Sequence, residues 1–228
     1  MTRSTADQPH EREAGLAAEQ RRHWERTYAA NPGMYGAEAS GPARHAARAF
    51  GEAGAHEVLE LGAGHGRDAL SFARAGFSVL ATDFSDVGLA QLRAQAAADG
   101  LADLVRTATH DVRTPLPLPD ASVDAVYAHM LLCMALSTAE IRALVREVAR
   151  VLRPGGTFAY TVRHDGDAHY GAGTDRGDDI WEHGGFAVHF FSRALVEELA
   201  QGWTLREVHA FEEGELPRRL WRVTQTRP

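Results

Sequence analysis

Residues 57–83 read EVLELGAGHGRDALSFARAGFSVLATD, and this stretch constrains the rest of the chain more than any other. A short apolar run, Val58-Leu59-Glu60-Leu61, is ended at once by Gly62-Ala63-Gly64-His65-Gly66. A helix-period segment follows, with Ala69, Leu70, Phe72 and Ala73 on one face and Gly76 to stop it. A second apolar run from Phe77 to Thr82 ends on Asp83. Strand, glycine turn, helix, strand and acid form a βαβ unit suited to a nucleotide. Glycines let the turn tighten and let a ligand approach the backbone. A carboxylate at the tip of the second strand can accept two hydrogen bonds from ribose hydroxyls.

The glycine spacing narrows the ligand. In the dinucleotide fingerprint G-x-G-x-x-G the third glycine would fall at position 67, where this chain has Arg67, and Gly66 comes one residue early. Glu60 sets a carboxylate where a pyrophosphate would have to lie near. A cationic ligand suits such a turn better. A nicotinamide-dependent oxidoreductase remains an alternative because it shares the βαβ unit.

At 228 residues the chain is expected to form one domain, residues 13–228, behind a polar, disordered tail over residues 1–12. A formal net charge of −7 argues against bulk electrostatic binding to nucleic acid or to anionic membranes. The single cysteine, Cys133, excludes an internal disulfide and points to a reducing, cytoplasmic setting. No apolar run approaches the ~20 residues of a membrane span, and the polar N-terminus has no signal-peptide core. All 24 basic residues are arginine, which excludes Schiff-base chemistry and a lysine-bearing P-loop.

In chain order, Glu13 to Ala30 has helical periodicity, with Leu16, Gln20, Trp24 and Tyr28 on one stripe. Asn31-Pro32-Gly33 breaks it, and Ser40-Gly41-Pro42 opens a second helix to about Gly51. These helices, residues 13–55, precede the first strand and can fold over its carboxyl end as a lid. Trp24 and Tyr28 read as helix-packing residues. Tyr35, in the turn, is the better ligand candidate, since an aromatic face can meet a cation. Ser85 caps a helix from Asp86 to Asp99, Leu104–Thr109 is a strand, and Ser122–Ala128 is another. A capping box of Ser137 and Glu140 starts a helix to Leu152, and Arg153-Pro154-Gly155-Gly156 turns into a strand from Thr157 to Val162. Ser192 caps a helix to Ala200. Trp203–Phe211 and Leu220–Thr224 read as an antiparallel pair joined by the acidic turn Glu212-Glu213-Gly214-Glu215. Alternation of this kind predicts an α/β, doubly wound, seven-stranded and mostly parallel sheet.

VLELGAGHG at 58–66, TDFS at 82–85, HDV at 110–112, DASVDAV at 120–126 and VLRPGG at 151–156 resemble, in order and spacing, the motifs of class I S-adenosylmethionine-dependent methyltransferases. The C-terminal stretches are loosely similar to the small-molecule type, such as the tellurite-resistance and thiopurine enzymes. The resemblance implies a Rossmann-like methyltransferase fold and S-adenosyl-L-methionine as cofactor. It implies that Glu60 and the loop Gly62, Ala63, Gly64 and Gly66 hold the methionine part, and that Asp83 takes the ribose hydroxyls. Phe84 would pack on adenine, with Ser85 and His110 beside it, Asp111 would accept from its amino group, and the Val112 backbone would donate to a ring nitrogen. Ala128 and His129 would sit by the methionine end, with Tyr35 above. Position 65 carries histidine where the family has a small hydroxyl residue.

The segment 163–191, RHDGDAHYGAGTDRGDDIWEHGGFAVHFF, is glycine-rich and polar yet carries aromatic residues, and it leaves the sheet at its ligand-binding edge. We read it as a cover over the acceptor, with Arg163, His164, His169, Tyr170, Trp181 and His189 joining Tyr35 as substrate-binding residues. His164, His169 and, behind them, His129 are the candidate general bases, needed only if the acceptor arrives protonated. The spacing His164-x-x-Asp167-x-His169 invites a metal reading, but it fixes no geometry and no metal is expected. The expected activity is methyl transfer to a small-molecule acceptor at sulfur, nitrogen or oxygen, by a monomer or homodimer. A non-catalytic S-adenosylmethionine-binding protein is the other alternative.

Overall fold

The computed structural model describes residues 7–214 and 218–228, with side chains from residue 15 onwards. Six helices and ten strands are formed by the described residues. The first helix, α1, spans Asp7–Ala30 and so begins inside the stretch expected to be a disordered tail. Residues 1–6 of that tail, and Glu215 of the acidic turn, lie outside the described residues.

The βαβ unit forms as its pattern dictates: β1 is Glu57–Leu61, α3 is Arg67–Arg74 and β2 is Ser78–Asp83. α2, Gly41–Glu52, precedes it, capped by the Ser40 hydroxyl accepting from the Ala43 amide with proline in the first turn. α4 is Asp86–Ala98, β3 is Val105–Thr109, β4 is Val123–His129, and α5 is Thr138–Val151 with the complete Ser137–Glu140 capping box. β5 runs from Leu152 to Arg163 and includes the expected turn. Its pairing with β4 jumps from Val123–Leu152 to Ala125–Thr157, so residues 153–156 are an excursion within the strand. α6 is Arg193–Leu199, and β9 (Thr204–Glu213) and β10 (Arg218–Thr226) close the chain.

Seven of the strands make one sheet in the order β3-β2-β1-β4-β5-β10-β9. The first five are parallel, and β10 inserts antiparallel between β5 and β9. The winding reverses between β1 and β4, which opens a crevice at their carboxyl ends where α/β sheets take ligands. Two hydrophobic layers cover the sheet. In one, Phe50 of α2 packs on Phe72 and Phe77 at ring separations of 5.9 and 6.3 Å, and Phe72 meets Tyr127 at 5.0 Å. Each such side chain contributes roughly 1.5–3 kcal/mol by leaving water. Both faces of the sheet thus carry a hydrophobic layer, and the crevice at the carboxyl ends stays open.

Residues 163–191 are not a bare loop. They hold a second, three-stranded antiparallel sheet of β6 (Thr174–Gly177), β7 (Ile180–His183) and β8 (Phe186–His189). Ile180 and Ala187 pack with Leu16 of α1. The Gln20 side chain donates to the Gly185 carbonyl (2.9 Å) and accepts from the Ala187 amide (3.3 Å), so α1 and this sheet are tied together. α2, by contrast, lies against α3, β4 and β5 on the sheet face. Of the two N-terminal helices, α1 is the one whose residues reach the crevice.

Candidate functional site

A cavity of about 560 Å3 occupies the crevice, large enough for a drug-sized ligand. Its floor is the glycine loop. Gly64 and Gly66 hold left-handed φ values of +55° and +87°, and a Cβ at either would run into Tyr28 or Leu92. Glycine is therefore required twice over, by backbone conformation and by space. At the tip of β2, Asp83 Oδ2 accepts from the Gly64 amide and Oδ1 from the Ser85 amide, each at 2.8 Å. Burial pushes the Asp83 carboxyl up to about 6, against those two bonds. Glu60 is 3 % exposed, and its Oε2 is buried with no hydrogen-bond partner. Burial first, then Asp68, raises its carboxyl well above the usual range. Two carboxyl groups thus face one end of the cavity, one lacking a donor, which is a site for a cation.

A smaller cavity shares Trp24, Gly62, Asp83, Phe84, Leu131 and Met134 with the first and extends to His110, Asp111 and Val112. Three expected cofactor residues are elsewhere, the first being Gly66, which is packed against Leu92 and lines neither cavity. Ser85 is fully buried because its hydroxyl caps α4 by accepting from Gly88 at 3.1 Å, and Ala128 is fully buried in the core. The Asp111 carboxylate accepts from the Arg113 amide and guanidinium at 3.0 and 3.1 Å.

Above the loop, the roof comes from α1, the turn after it and the second sheet. Trp24 stacks on Tyr28 at 5.3 Å and meets Phe186 at 5.1 Å, and all three line the cavity. The stripe read as helix packing therefore also faces the ligand space. Tyr35 stacks on His65 at 5.6 Å and 15°, and its amide donates to His65 Nε2 at 3.3 Å. His65 thus positions the turn, and burial, then Arg67, lowers its pKa and keeps it a neutral acceptor.

The remaining expected acceptor residues divide. Arg163, His169, His129 and Trp181 line the cavity. His164, Tyr170 and His189 do not. His164 lies on Trp221 at 4.7 Å and its Nδ1 accepts from the Gly166 amide. The Tyr170 hydroxyl donates to Asp179 at 2.9 Å on the outer surface. His189 is 1 % exposed, with Nδ1 bonded to the Leu136 carbonyl at 2.9 Å. The alternation along β8 turns the His189 ring away, and His164 is held by its bridge to Phe191.

His169 is present but occupied. Arg163 can only donate, so at 2.8 Å it takes the lone pair of His169 Nδ1, and the proton of the neutral ring sits on Nε2. That contact competes with a role for His169 as a base. Arg163 itself is paired with Asp167, whose carboxylate also accepts from the Arg219 amide at 2.7 Å. At the tip of β4, His129 Nδ1 lies 2.7 Å from Thr161 Oγ1 and Nε2 lies 3.5 Å from Glu213 Oε2. Glu213 is also in the cavity wall, and although burial opposes it, His129, Arg218 and Arg67 hold its carboxyl below the usual range. Met130 follows in a left-handed conformation at φ +58°, held by its amide on Thr161. That turn aims Met130, Leu131 and Met134 at the cavity.

Beneath the loop, Asp68 is 4 % exposed and accepts from the Ser40 amide (2.9 Å), the Ser40 hydroxyl (2.8 Å), the Tyr127 hydroxyl (3.3 Å) and Arg67 (3.0 and 3.2 Å). Cys133 is fully buried with its thiol pushed up to about 11 by burial, a core residue and no nucleophile.

Residues 58–156 match the family model of a methyltransferase domain. The chain is 35% identical over 112 residues to malonyl-[acyl-carrier protein] O-methyltransferase of Pectobacterium atrosepticum, covering 48% of this chain and 40% of that protein. It is 35% identical over 109 residues to demethylmenaquinone methyltransferase of Clavibacter sepedonicus, covering 48% and 42%. The chain therefore spans about two fifths of the length of these curated relatives. Its fold superposes on Burkholderia thailandensis 1,6-didemethyltoxoflavin-N1-methyltransferase, solved with 1,6-didemethyltoxoflavin and S-adenosylhomocysteine, with a TM-score of 0.73 at 19% identity, covering 94% of this chain and 89% of that one.

Proposed function

We propose that the chain, whose residues 58–156 match the model of a methyltransferase domain, is a class I S-adenosylmethionine-dependent methyltransferase that transfers a methyl group to a small molecule held under the α1–second-sheet roof. The observation that carries this reading is the single cavity running from Glu60 and Asp83 at the glycine loop to Trp181 and Phe186 in the roof. S-adenosylmethionine fits the lower end: the unpartnered Glu60 oxygen answers an ammonium, and Asp83 answers ribose hydroxyls. When bound, it supplies a methyl group on a positively charged sulfur that departs as a neutral thioether.

The residues of the chain then have three tasks. Tyr28, Trp24 and Phe186 exclude water above the loop, and the loop fixes the donor end, so that nucleophile and methyl are held in line. Such positioning is worth roughly 7–11 kcal/mol at best. Where the acceptor brings a proton, the His129–Glu213 pair receives it. Sulfur and tertiary amine acceptors need no base.

Calorimetric titration should show S-adenosylmethionine and S-adenosylhomocysteine binding and NAD not binding, the last result separating this reading from an oxidoreductase. Turnover, read as S-adenosylhomocysteine formed with a panel of thiols, amines and hydroxyl compounds, separates it from a non-catalytic binder. Trp181→Ala should lower kcat/KM for any acceptor found at least tenfold, about 1.4 kcal/mol, with cofactor affinity unchanged. Turnover indifferent to Trp181→Ala would remove the acceptor from this cavity.

Cofactor affinity should also depend on pH. The Asp83 carboxyl titrates at about 6 in the free protein, and its ionised form makes the stronger ribose contact. Affinity is then full above pH 6 and falls as pH drops through it, by up to about tenfold per unit. A dissociation constant equal at pH 5 and pH 7.5 would contradict this assignment.

A further inference from the structure

The cavity wall contains three arginines, and they are not equivalent. Arg67 is bonded to Asp68 at 3.0 Å, and Arg163 is bonded to Asp167. Arg218, half-buried in the same wall, forms no ion pair among the described residues. Its cross-strand partner in the β9–β10 register is Glu213, the carboxylate best placed to neutralise it. That carboxylate instead approaches His129 Nε2 at 3.5 Å. Opposite charges directly across a ladder thus make no direct ion pair among the described residues, although Arg218 is near enough to help hold the Glu213 carboxyl down, and both side chains reach the cavity. The same cavity is also lined by the aromatic rings of Trp181, Phe186 and Phe190. A guanidinium in a cavity that also carries aromatic rings, making no direct ion pair among the described residues, can donate to two oxygens of an anion.

We propose that Arg218 is the anion-binding residue of the acceptor pocket, and that the methyl acceptor is a small, flat, apolar molecule bearing a carboxylate or phosphate. The proposal rests on the reading of this cavity as the acceptor site. The charge balance is consistent with it. Glu60 and Asp83 face the cationic donor, Glu213 faces His129, and Arg218 is the charge left for the acceptor.

The test uses the full chain saturated with S-adenosylhomocysteine and three probes of one shape: benzoate, phenyl phosphate and uncharged benzamide. Calorimetry should show at least one anion binding at least tenfold tighter than benzamide, and the tighter anion identifies the headgroup. Arg218→Gln should erase that preference, while S-adenosylhomocysteine affinity, which also reports folding, stays within about twofold. Trp181→Ala should weaken anion and amide alike. Equal binding of benzoate, phenyl phosphate and benzamide, or a preference that survives Arg218→Gln, would overturn the proposal and leave the methyltransferase reading standing. So would the absence of either anion up to about 10 mM. Anion binding indifferent to both Arg218→Gln and Trp181→Ala would place the anion outside the cavity, and the acceptor reading would fall with the proposal.

Discussion

Asp68→Ala is expected to lower the unfolding free energy by about 3–5 kcal/mol, read from urea denaturation. Among the described residues Asp68 is the one anion bonded to Arg67, and its two oxygens also hold Ser40 and Tyr127. Those partners belong to three elements: Ser40 caps α2, Arg67 opens α3, and Tyr127 stands in β4. The carboxylate stays ionised despite burial because Arg67 and its other donors hold its pKa below the usual range. Truncation leaves the half-buried Arg67 guanidinium and the Ser40 amide without their acceptor, and the Ser40 and Tyr127 hydroxyls, 3.2 Å apart, with only each other to donate to, and such a loss exceeds the worth of the bonds themselves. Asp68→Asn, which keeps one accepting oxygen, should cost about half as much. A loss under about 1 kcal/mol in Asp68→Ala would show that this network does not join the helices to the sheet.

The second large effect falls on binding. Asp83→Asn should raise the dissociation constant of S-adenosylmethionine by about thirtyfold, or 2 kcal/mol, in a protein that remains folded. Asp83 accepts from Gly64 and Ser85 amides with different oxygens. An asparagine has one accepting oxygen, so its NH2 group must face one of those N–H donors. The loop shifts or the side chain turns, and the charge offered to ribose is gone as well. Calorimetry on the folded variant checks this. Unchanged affinity would detach the tip of β2 from the cofactor.

What could be read in the chain without its fold was local. Strand, glycine turn, helix and acid lie within 27 residues of one another, and their chemistry follows from spacing alone. The caps at Ser40, Ser85, Ser137 and Ser192 were equally legible, since a cap needs only the residues just after it. So was the parallel order of the sheet, through the rules that restrict βαβ connections.

The tertiary structure alone decided the upper half of the site. Segment 163–191 shows many histidines, yet the pleat of β8 sends His189 into the core, Tyr170 points outward and His164 lies on Trp221, while Trp181 and Phe186 reach the ligand space. Which face of a short strand looks inward depends on what covers the other face, here α1 through Gln20 and Leu16. Glu213 and Arg218 carried no signal as an acidic turn and a basic strand end, because nothing in their neighbourhood tells that a hairpin will fold back to His129. Asp68 looked like an ordinary first-turn acid of a helix, and only burial against Ser40 and Tyr127 makes it a hub. Side-chain chemistry at the glycine loop is set by neighbours in sequence, and so it could be read. At the acceptor end it is set by neighbours that come from opposite ends of the chain, and only packing brings those together.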